Sequence, residues 1–596
     1  MIKTIIEFFS LLTSSQRRRF YTLQILVIIM TFAEVASIFS ITPFMAIVGD
    51  PSLLQKENLL GTLYIKSNLA SPYEFIFYLG FIVLGILTIS AFISIFITWR
   101  LAIFSTKIGV EIGDSLYSHY LNQDWLFHTR GSSSSLTKKI STDTARLTTE
   151  FILPLMYLNS RLCLTVIVVL MLLIYDPFVM IICLIIFSGG YFFIFKLAQT
   201  KLEINNKNIS NMFLERYKLM NSGFGGIKEV LLMGKSSNFI KLFTTAGNKL
   251  AYSQGVNKAI ALVPRYFMEL MGFTFMISLV LYLISKSQGV LFLASILPIL
   301  SIYAIAGIKL LPALQQIFGA ITTIKGNLSA YEFIKEDLKN INTQVKKKIE
   351  ANKQVWSKHN EICLKNITFN FTEKKFFTIN NVSLTIKPNT SVGFVGKSGS
   401  GKSTIIDIIT GLIEPQQGEI TIDGIPLNKK NLRTWQNKIG IVPQAIFLLE
   451  GSVAENVAFG ISHDLIDYQQ VKKVLKLAYL EEWLSGLENG IHTKVGERGI
   501  QLSGGQRQRI AIARSLYYEP DVLIFDEATS ALDRITEKTI MNSIDDFSGK
   551  KTLIMISHRL TTVQKCDQIF IIDKGAIIDS GTYQELLKKN EQFKKM

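Results

Sequence analysis

Cysteine is scarce in this chain. There are four in 596 residues, Cys163, Cys183, Cys363 and Cys566, far apart and with no C-x-x-C pair. That spacing argues against a disulfide framework and against a cysteine zinc site. A clustered basic arm is also missing. The formal net charge of +17 is scattered through connecting segments, so no nucleic-acid partner is expected. A bias of Lys and Arg toward the cytoplasmic side of a membrane accounts for the charge instead. A cleavable leader is not expected either. Residues 1–12 carry apolar side chains at helical spacing, and Arg17-Arg18-Arg19 follow. The next apolar run, 23–48, is too long for a leader core and ends without a small-residue cleavage site. The start of the chain therefore reads as an interfacial helix leading into a first span.

Apolar residues are abundant. They make up 48% of the chain, and mean hydropathy is +0.31. The length calls for two or three domains, and the hydropathy points to membrane spans. Five runs follow the first, at 73–99, 151–175, 177–197, 262–284 and 290–311, each long enough for the roughly 20 residues of a spanning helix. The 100–150 connection carries Arg100, Lys107, Arg130, Lys138, Lys139 and Arg146. The 196–260 connection carries Lys196, Lys201, Lys218, Lys228 and Lys258, whereas the other three hold only Lys56, Lys66 and Lys286. Six spans with both long connections and both termini in the cytoplasm are expected.

Both long connections are helical in pattern, so the spanning helices should extend beyond the membrane. Each has a break, Gly131-Ser132-Ser133-Ser134-Ser135 and Asn221-Ser222-Gly223-Phe224-Gly225-Gly226, where short helices could contact a soluble domain. Residues 51–69 suggest a short amphipathic helix on the outer surface. From 324 to 357 the chain turns polar and Lys-rich, with Lys346-Lys347-Lys348, which marks a linker. The expected division is a helical six-span domain over 1–323, the linker 324–357, and a second domain over 358–596.

That second domain opens with alternating strand patterns and then presents Gly396-Lys397-Ser398-Gly399-Ser400-Gly401-Lys402-Ser403-Thr404. The stretch fits G-x-x-x-x-G-K-[ST], a phosphate-binding loop. It follows a buried strand over 391–395 and opens a helix from Thr404. Gly396, Gly399 and Gly401 let backbone N–H groups curl around an anion, and the helix N-terminus adds partial positive charge. Lys402 is placed to reach the outer phosphates and Ser403 to ligate Mg²⁺. Further on, Val522-Leu523-Ile524-Phe525 forms a buried strand whose carboxyl end presents Asp526 and Glu527. Ligands of parallel α/β sheets bind at that end. Asp526 is assigned to Mg²⁺ and Glu527 to a general base that polarises the attacking water. A third element, Leu502-Ser503-Gly504-Gly505-Gln506, leads into a helical pattern with Ser503 as its N-cap. It exposes backbone N–H groups at a helix start. A second phosphate site in one chain suggests that it completes the site of another copy.

This ordered set resembles an ATP-binding cassette (ABC) domain, and the six-span region in front of it resembles a half-transporter of the exporter type. The fold expected is therefore multidomain: an α-helical transmembrane domain followed by an α/β P-loop NTPase. The resemblance implies ATP and Mg²⁺ as cofactors and a homodimer. It assigns Gln444, in Ile441-Val442-Pro443-Gln444, to a loop that touches Mg²⁺ and senses the membrane domain. By the same resemblance Asp533 belongs to the D-loop and His558 is the switch histidine on the γ-phosphate. Glu497 resembles an exporter segment that meets the coupling helices, and the two glycine-containing loop tips resemble those helices. Phe371 falls where the family usually stacks a Tyr on adenine; here the ring is kept and the hydroxyl is lost.

The resemblance implies an ATP-driven exporter or flippase in a cytoplasmic membrane. A soluble nucleic-acid ATPase is opposed by the spans, and a gated channel by the intact Glu527, His558 and LSGGQ set. An importer subunit would keep its domains on separate chains, and a leader-cleaving peptide exporter is not expected, as that would carry a peptidase domain before the spans. Val263-Pro264-Arg265, Glu269 and Gly272-Phe273 are similar to bacterial lipid-linked oligosaccharide flippases, so a lipid-linked or other amphipathic substrate is expected, with lipid A or drugs as alternatives. Glu34, Arg161, Arg265, Glu269 and Lys309 are ionisable groups within spans and hence candidates for function. Arg265 and Lys309 are expected to neutralise an anionic headgroup, although Arg265 and Glu269 at i,i+4 could simply pair.

Overall fold

The computed structural model describes residues 2–49, 51–55, 59–67, 69, 71–175, 177–286, 291–344, 356, 360–371, 378–496, 502–527, 537, 541 and 547–594. The chain divides into two compact units, one of 1–123 with 128–347 and one of 124–127 with 348–596.

Among its described residues the first unit is helical. In chain order the helices up to residue 344 are α1 (Ile2–Leu11), α2 (Ser14–Gly49), α3 (Leu59–Ser67), α4 (Pro72–Leu121), α5 (Trp125–Arg130), whose first three residues belong to the second unit, α6 (Ser133–Lys138), α7 (Thr144–Leu147), α8 (Leu153–Tyr175), α9 (Pro177–Gly225), α10 (Ile227–Leu232), α11 (Ser236–Leu262), α12 (Pro264–Lys286), α13 (Leu291–Gly326) and α14 (Leu328–Gln344). Four stretches among the described residues are long and apolar enough to cross a membrane: Ser14–Gly49, Pro72–Leu121, Ser133–Ile174 and Met180–Gly225. The fifth and sixth expected runs fall on α12 and α13, and residues 287–290 between them lie outside the described set. With 50 and 49 residues, α4 and α9 are more than twice as long as a bilayer core of about 30 Å requires at about 1.5 Å per residue.

The expected breaks are shifted. The first chain break falls at 122–124, α5 follows it, and Ser132 then takes the N-cap position of α6, without a side-chain capping bond, instead of leading a loop. Ser favours an N-cap, which is why a serine run can open a helix as readily as a turn. In the second connection α9 continues through Asn221–Gly225 and stops only at Gly226, after which α10 begins. The two short helices expected at the tips therefore exist, one just before its glycine and one just after.

Apolar contacts hold the spans together where α2, α8, α9 and α13 meet, with Val35, Ile38, Leu164, Val168, Leu172, Met180 and Ala313 buried in one cluster. Beyond the membrane-length portions the packing turns polar. Asp143 is fully buried, with Lys138 Nζ at 2.7 Å and Arg146 at 3.8 Å. π-helical turns at Lys139–Asp143 and Thr148–Ile152 flank this cluster; such turns often accompany functional sites. On α14, Asp337 accepts from Tyr120 Oη at 2.6 Å and from Lys139 Nζ at 2.7 Å.

The second unit is built on two sheets. The first has strand order β2-β1-β4-β5, from β1 (Ile362–Phe369), β2 (Ile379–Ile386), β4 (Gln417–Ile422) and β5 (Ile425–Pro426), all antiparallel. The second has order β10-β9-β3-β8-β7-β6, from β3 (Ser391–Val395), β6 (Ile439–Val442), β7 (Val522–Asp526), β8 (Thr552–Ile556), β9 (Gln568–Asp573) and β10 (Ala576–Gly581). Only β10 runs antiparallel there. β3 and β8 are buried at every residue, as parallel strands covered on both faces must be. Each fully buried Val, Leu, Ile or Phe on them contributes about 1.5–3 kcal/mol. Leu126 of the 124–127 segment packs on this unit's apolar cluster beside Ile362, Trp356 and Trp435.

Candidate nucleotide and substrate sites

Four neighbouring parallel strands deliver the chemistry. The phosphate loop leaves β3 at Gly396 and closes into the helix Lys402–Ile409. At Gly401, where φ is +109°, a Cβ would stand 2.8 Å from Ile379 Cδ1 and 2.9 Å from the Thr378 carbonyl, so only glycine fits. Gly399, at φ +78°, has no atom within 4 Å of such a Cβ, leaving that side of the loop open to an anion. Lys402 is buried and its Nζ donates to the carbonyls of Gly396 at 2.8 Å and Lys397 at 2.9 Å. Burial holds its ammonium below the usual lysine range, opposed by Glu527 and Asp526. Among the described residues, the buried Ser400 hydroxyl has no partner. Thr404, half-buried, follows in the first turn.

β7 ends at Asp526 beside the loop. Burial and then the neighbouring Glu527 push Asp526 above the usual carboxylate range, while Lys402 and a hydrogen bond from Ser403 pull it back. A hydroxyl and a carboxylate side by side are the hard oxygen donors that suit Mg²⁺, so the residues present fit that ion. Glu527 sits one residue further, in left-handed backbone at φ +49°. Such a conformation is costly for a non-glycine residue and clusters at functional sites. Its Oε2 accepts from Gln444 Nε2 at 2.7 Å, and its Oε1 lies 2.6 Å from His558 Nε2. Gln444 follows β6 and His558 follows β8, so β3, β8, β7 and β6 each place one candidate at the same sheet edge.

Other candidates stand elsewhere. Ser503 caps the helix Gly504–Leu516 in a capping box: its N–H donates to Gln506 Oε1 at 2.9 Å, and Gln506 N–H donates to Ser503 Oγ at 3.2 Å. Among the described residues, none of Ser503, Gly504, Gly505 and Gln506 bonds to the phosphate loop of its own chain. Phe371 packs edge-on against Phe369, ring centroids 5.0 Å apart. Asp533 and Glu497 lie outside the described residues. Sequence reasoning missed that Gln444 and His558 grip the same carboxylate. It also missed Asp407 on the loop helix, which burial and the charge of Asp526 push up to about 6. No local pattern marks either, because Glu527 lies 83 residues from Gln444 and 31 from His558, and Asp407 lies over 100 residues from Asp526.

A second site lies within the helical unit. A cavity of about 1250 Å³ is bounded by α8, α9, α12 and α13 and lined mainly by apolar side chains, among them Phe187, Phe192, Phe273 and Phe318. Its few polar groups include Ser188, Glu269 and Lys325. Thr165 Oγ1 and Tyr191 Oη also line it and are buried without a partner among the described residues. Arg265 and Lys309 are not among its lining residues. Arg265 Nε instead bonds Glu269 Oε1 at 2.6 Å, as i,i+4 spacing on one helix face allows. Glu34 and Arg161 likewise face each other at 3.5 Å, with Ser94 donating to Glu34 and Arg161 donating to Gln316.

With the geometry established, two family models match the chain. Residues 379–530 match one described as ABC transporter, and 20–263 match the ABC transporter transmembrane region. The chain carries an ABC transporter transmembrane region followed by an ABC transporter domain. The transporter is 26% identical over 527 residues to an ATP-dependent lipid A-core flippase of Salmonella paratyphi A, covering 85% of this chain and 86% of that protein. It is 34% identical over 291 residues to the heterocyst differentiation ATP-binding protein HepA of Nostoc, and 39% identical over 233 residues to a lipid A-core flippase of Vibrio vulnificus. These two matches span less than half of either relative, 46% and 40%. A solved bacterial Atm1-family ABC exporter with ATP bound has the same fold, with a TM-score of 0.77 at 21% identity over 98% of each chain.

Proposed function

We propose that the transporter hydrolyses ATP to drive export of an amphipathic, lipid-linked saccharide across the cytoplasmic membrane, working as a homodimer. The observation that carries the ATPase half of this reading is the convergence of Lys402, His558, Asp526 with Glu527, and Gln444 on one edge of four adjacent parallel strands. Lys402 and the loop amides bind the phosphates of ATP, and Phe371 supplies a ring for adenine. Ser403 and Asp526, with Gln444 nearby, would hold Mg²⁺, which when bound neutralises charge on the phosphates. Glu527 takes the proton from the attacking water, and His558 stands on the γ-phosphate side. The Ser503–Gln506 segment and Asp533 are assigned to the partner's nucleotide. The self-capped Ser503, unbonded to its own loop, supports that assignment.

The substrate half rests on the cavity between α8, α9, α12 and α13. Its aromatic lining suits acyl or prenyl chains, and the Tyr191 and Thr165 hydroxyls, unpartnered among the described residues, suit a polar group near them. Lipid A is a second reading, favoured by the likeness to a lipid A-core flippase aligned over 86% of its length. ATPase stimulation in proteoliposomes, with lipid-linked oligosaccharide against lipid A, tests the two. Stimulation by neither removes the glycolipid reading.

A further inference from the structure

A second groove, of about 380 Å³, lies between the basic ends of α2 and α4 and shares no lining residue with the large cavity. We propose that it binds one anionic phospholipid of the surrounding bilayer, with the phosphate on Arg19, Arg100 and Lys107 and an acyl chain along Leu23 and Leu26. All five line the groove.

Three observations support this occupant. The first is depth. Tyr21 is 65% exposed and Trp99 63% exposed, and these aromatics stand beside the groove on its two helices. Exposed Trp and Tyr mark the headgroup level of spanning helices. Past them the surfaces become apolar and exposed, with Ile25 and Ile29 on α2 and Phe92 and Ile95 on α4. The groove therefore stands where a headgroup meets its chains.

The second is charge. Arg19, Arg100 and Lys107 face a single acid, Glu111. Glu111 accepts from Gln16 at 2.6 Å and lies 3.5 Å from Arg19 in a partly exposed pair, a weak interaction. Arg100 lies 5.6 Å from the Phe96 ring. Among the described residues neither Arg100 nor Lys107 has a carboxylate partner. Two cations are thus left to a ligand, and basic pockets between spanning helices suit anionic headgroups.

The third is shape. An apolar wall of Leu23 and Leu26 adjoins the cations. A free phosphate would make no use of that wall, and the groove is too small for a folded partner. A phospholipid uses both parts.

The test measures lipid retained by the full-length chain, without ATP, by native mass spectrometry after exchange from vesicles of phosphatidylcholine with or without phosphatidylglycerol of the same chains. One tightly held phosphatidylglycerol per chain is expected in the wild type. Each cation near a membrane phosphate is worth about fivefold, so Arg100→Gln with Lys107→Gln should weaken retention roughly twenty-five-fold and leave phosphatidylcholine unchanged. Glu111→Gln, which frees Arg19, should tighten retention. Equal retention of phosphatidylglycerol by the wild type and the double variant overturns the proposal. So does equal loss of both lipids, or looser retention in Glu111→Gln. No cassette residue is touched, so the outcome is independent of the ATPase reading.

Discussion

Glu527→Gln probes the nucleotide site most directly. In the structure both carboxylate oxygens are engaged, Oε2 by Gln444 at 2.7 Å and Oε1 by His558 at 2.6 Å. Glutamine keeps one oxygen for His558. It turns the other arm into an NH₂ that faces the Gln444 NH₂, and a flip of the Gln444 amide restores that bond. The substitution therefore leaves packing and ATP binding nearly unchanged while removing the base. A general base contributes about 10²–10⁴-fold, so the barrier should rise by about 3–5 kcal/mol. ATPase assays of the reconstituted protein should show that loss, and nucleotide trapping should show ATP retained. His558→Ala keeps the carboxylate and should lose less. Adding His558→Ala to Glu527→Gln should cost little more, since both act on one proton transfer. Turnover of Glu527→Gln within a few-fold of wild type would refute the assignment of the base.

A tandem-linked pair of one Lys402→Ala chain and one Ser503→Arg chain should regain nucleotide trapping at one composite site, and equal loss in mixed and pure mutants would place each site within one chain. Arg161→Ala strands the nearly buried Glu34 carboxylate, and breaking such a pair costs about 3–5 kcal/mol when fully buried. The thermal midpoint in detergent should fall, and Glu34→Gln on top should recover much of it. Glu455 is held below the usual carboxylate range by the backbone and then the hydroxyl of Ser452 in a capping box. Because its folded value is depressed, this stabilisation is present above the ordinary glutamate range and disappears as pH falls through the lowered value. Glu455→Ala should therefore cost about a few tenths of a kcal/mol at neutral pH, because solvent screens this carboxylate, shrinking in acid; a pH-independent difference in thermal midpoint would contradict this.

Much of the transporter was legible in its sequence where the governing physics is local. A run of about 20 apolar residues must become a helix in a bilayer, and the phosphate loop needs glycine at left-handed φ within a few residues of its lysine. Those constraints are satisfied within one segment, so Gly401, Lys402, Ser403 and the Asp526-Glu527 pair could be named from spacing alone. Tertiary structure decided the rest, because the partners are remote in sequence. The strand order β3-β8-β7-β6 brought Gln444 and His558 onto one carboxylate from 83 residues upstream and 31 downstream. It was also packing that set Arg161 against Glu34 and left Tyr191, among the described residues, without a partner at the cavity wall, whereas the Arg265–Glu269 pair lay within reach of i,i+4 spacing on one helix. Which charges neutralise one another depends on a few ångströms of separation in space, and sequence periodicity does not encode distances across helices.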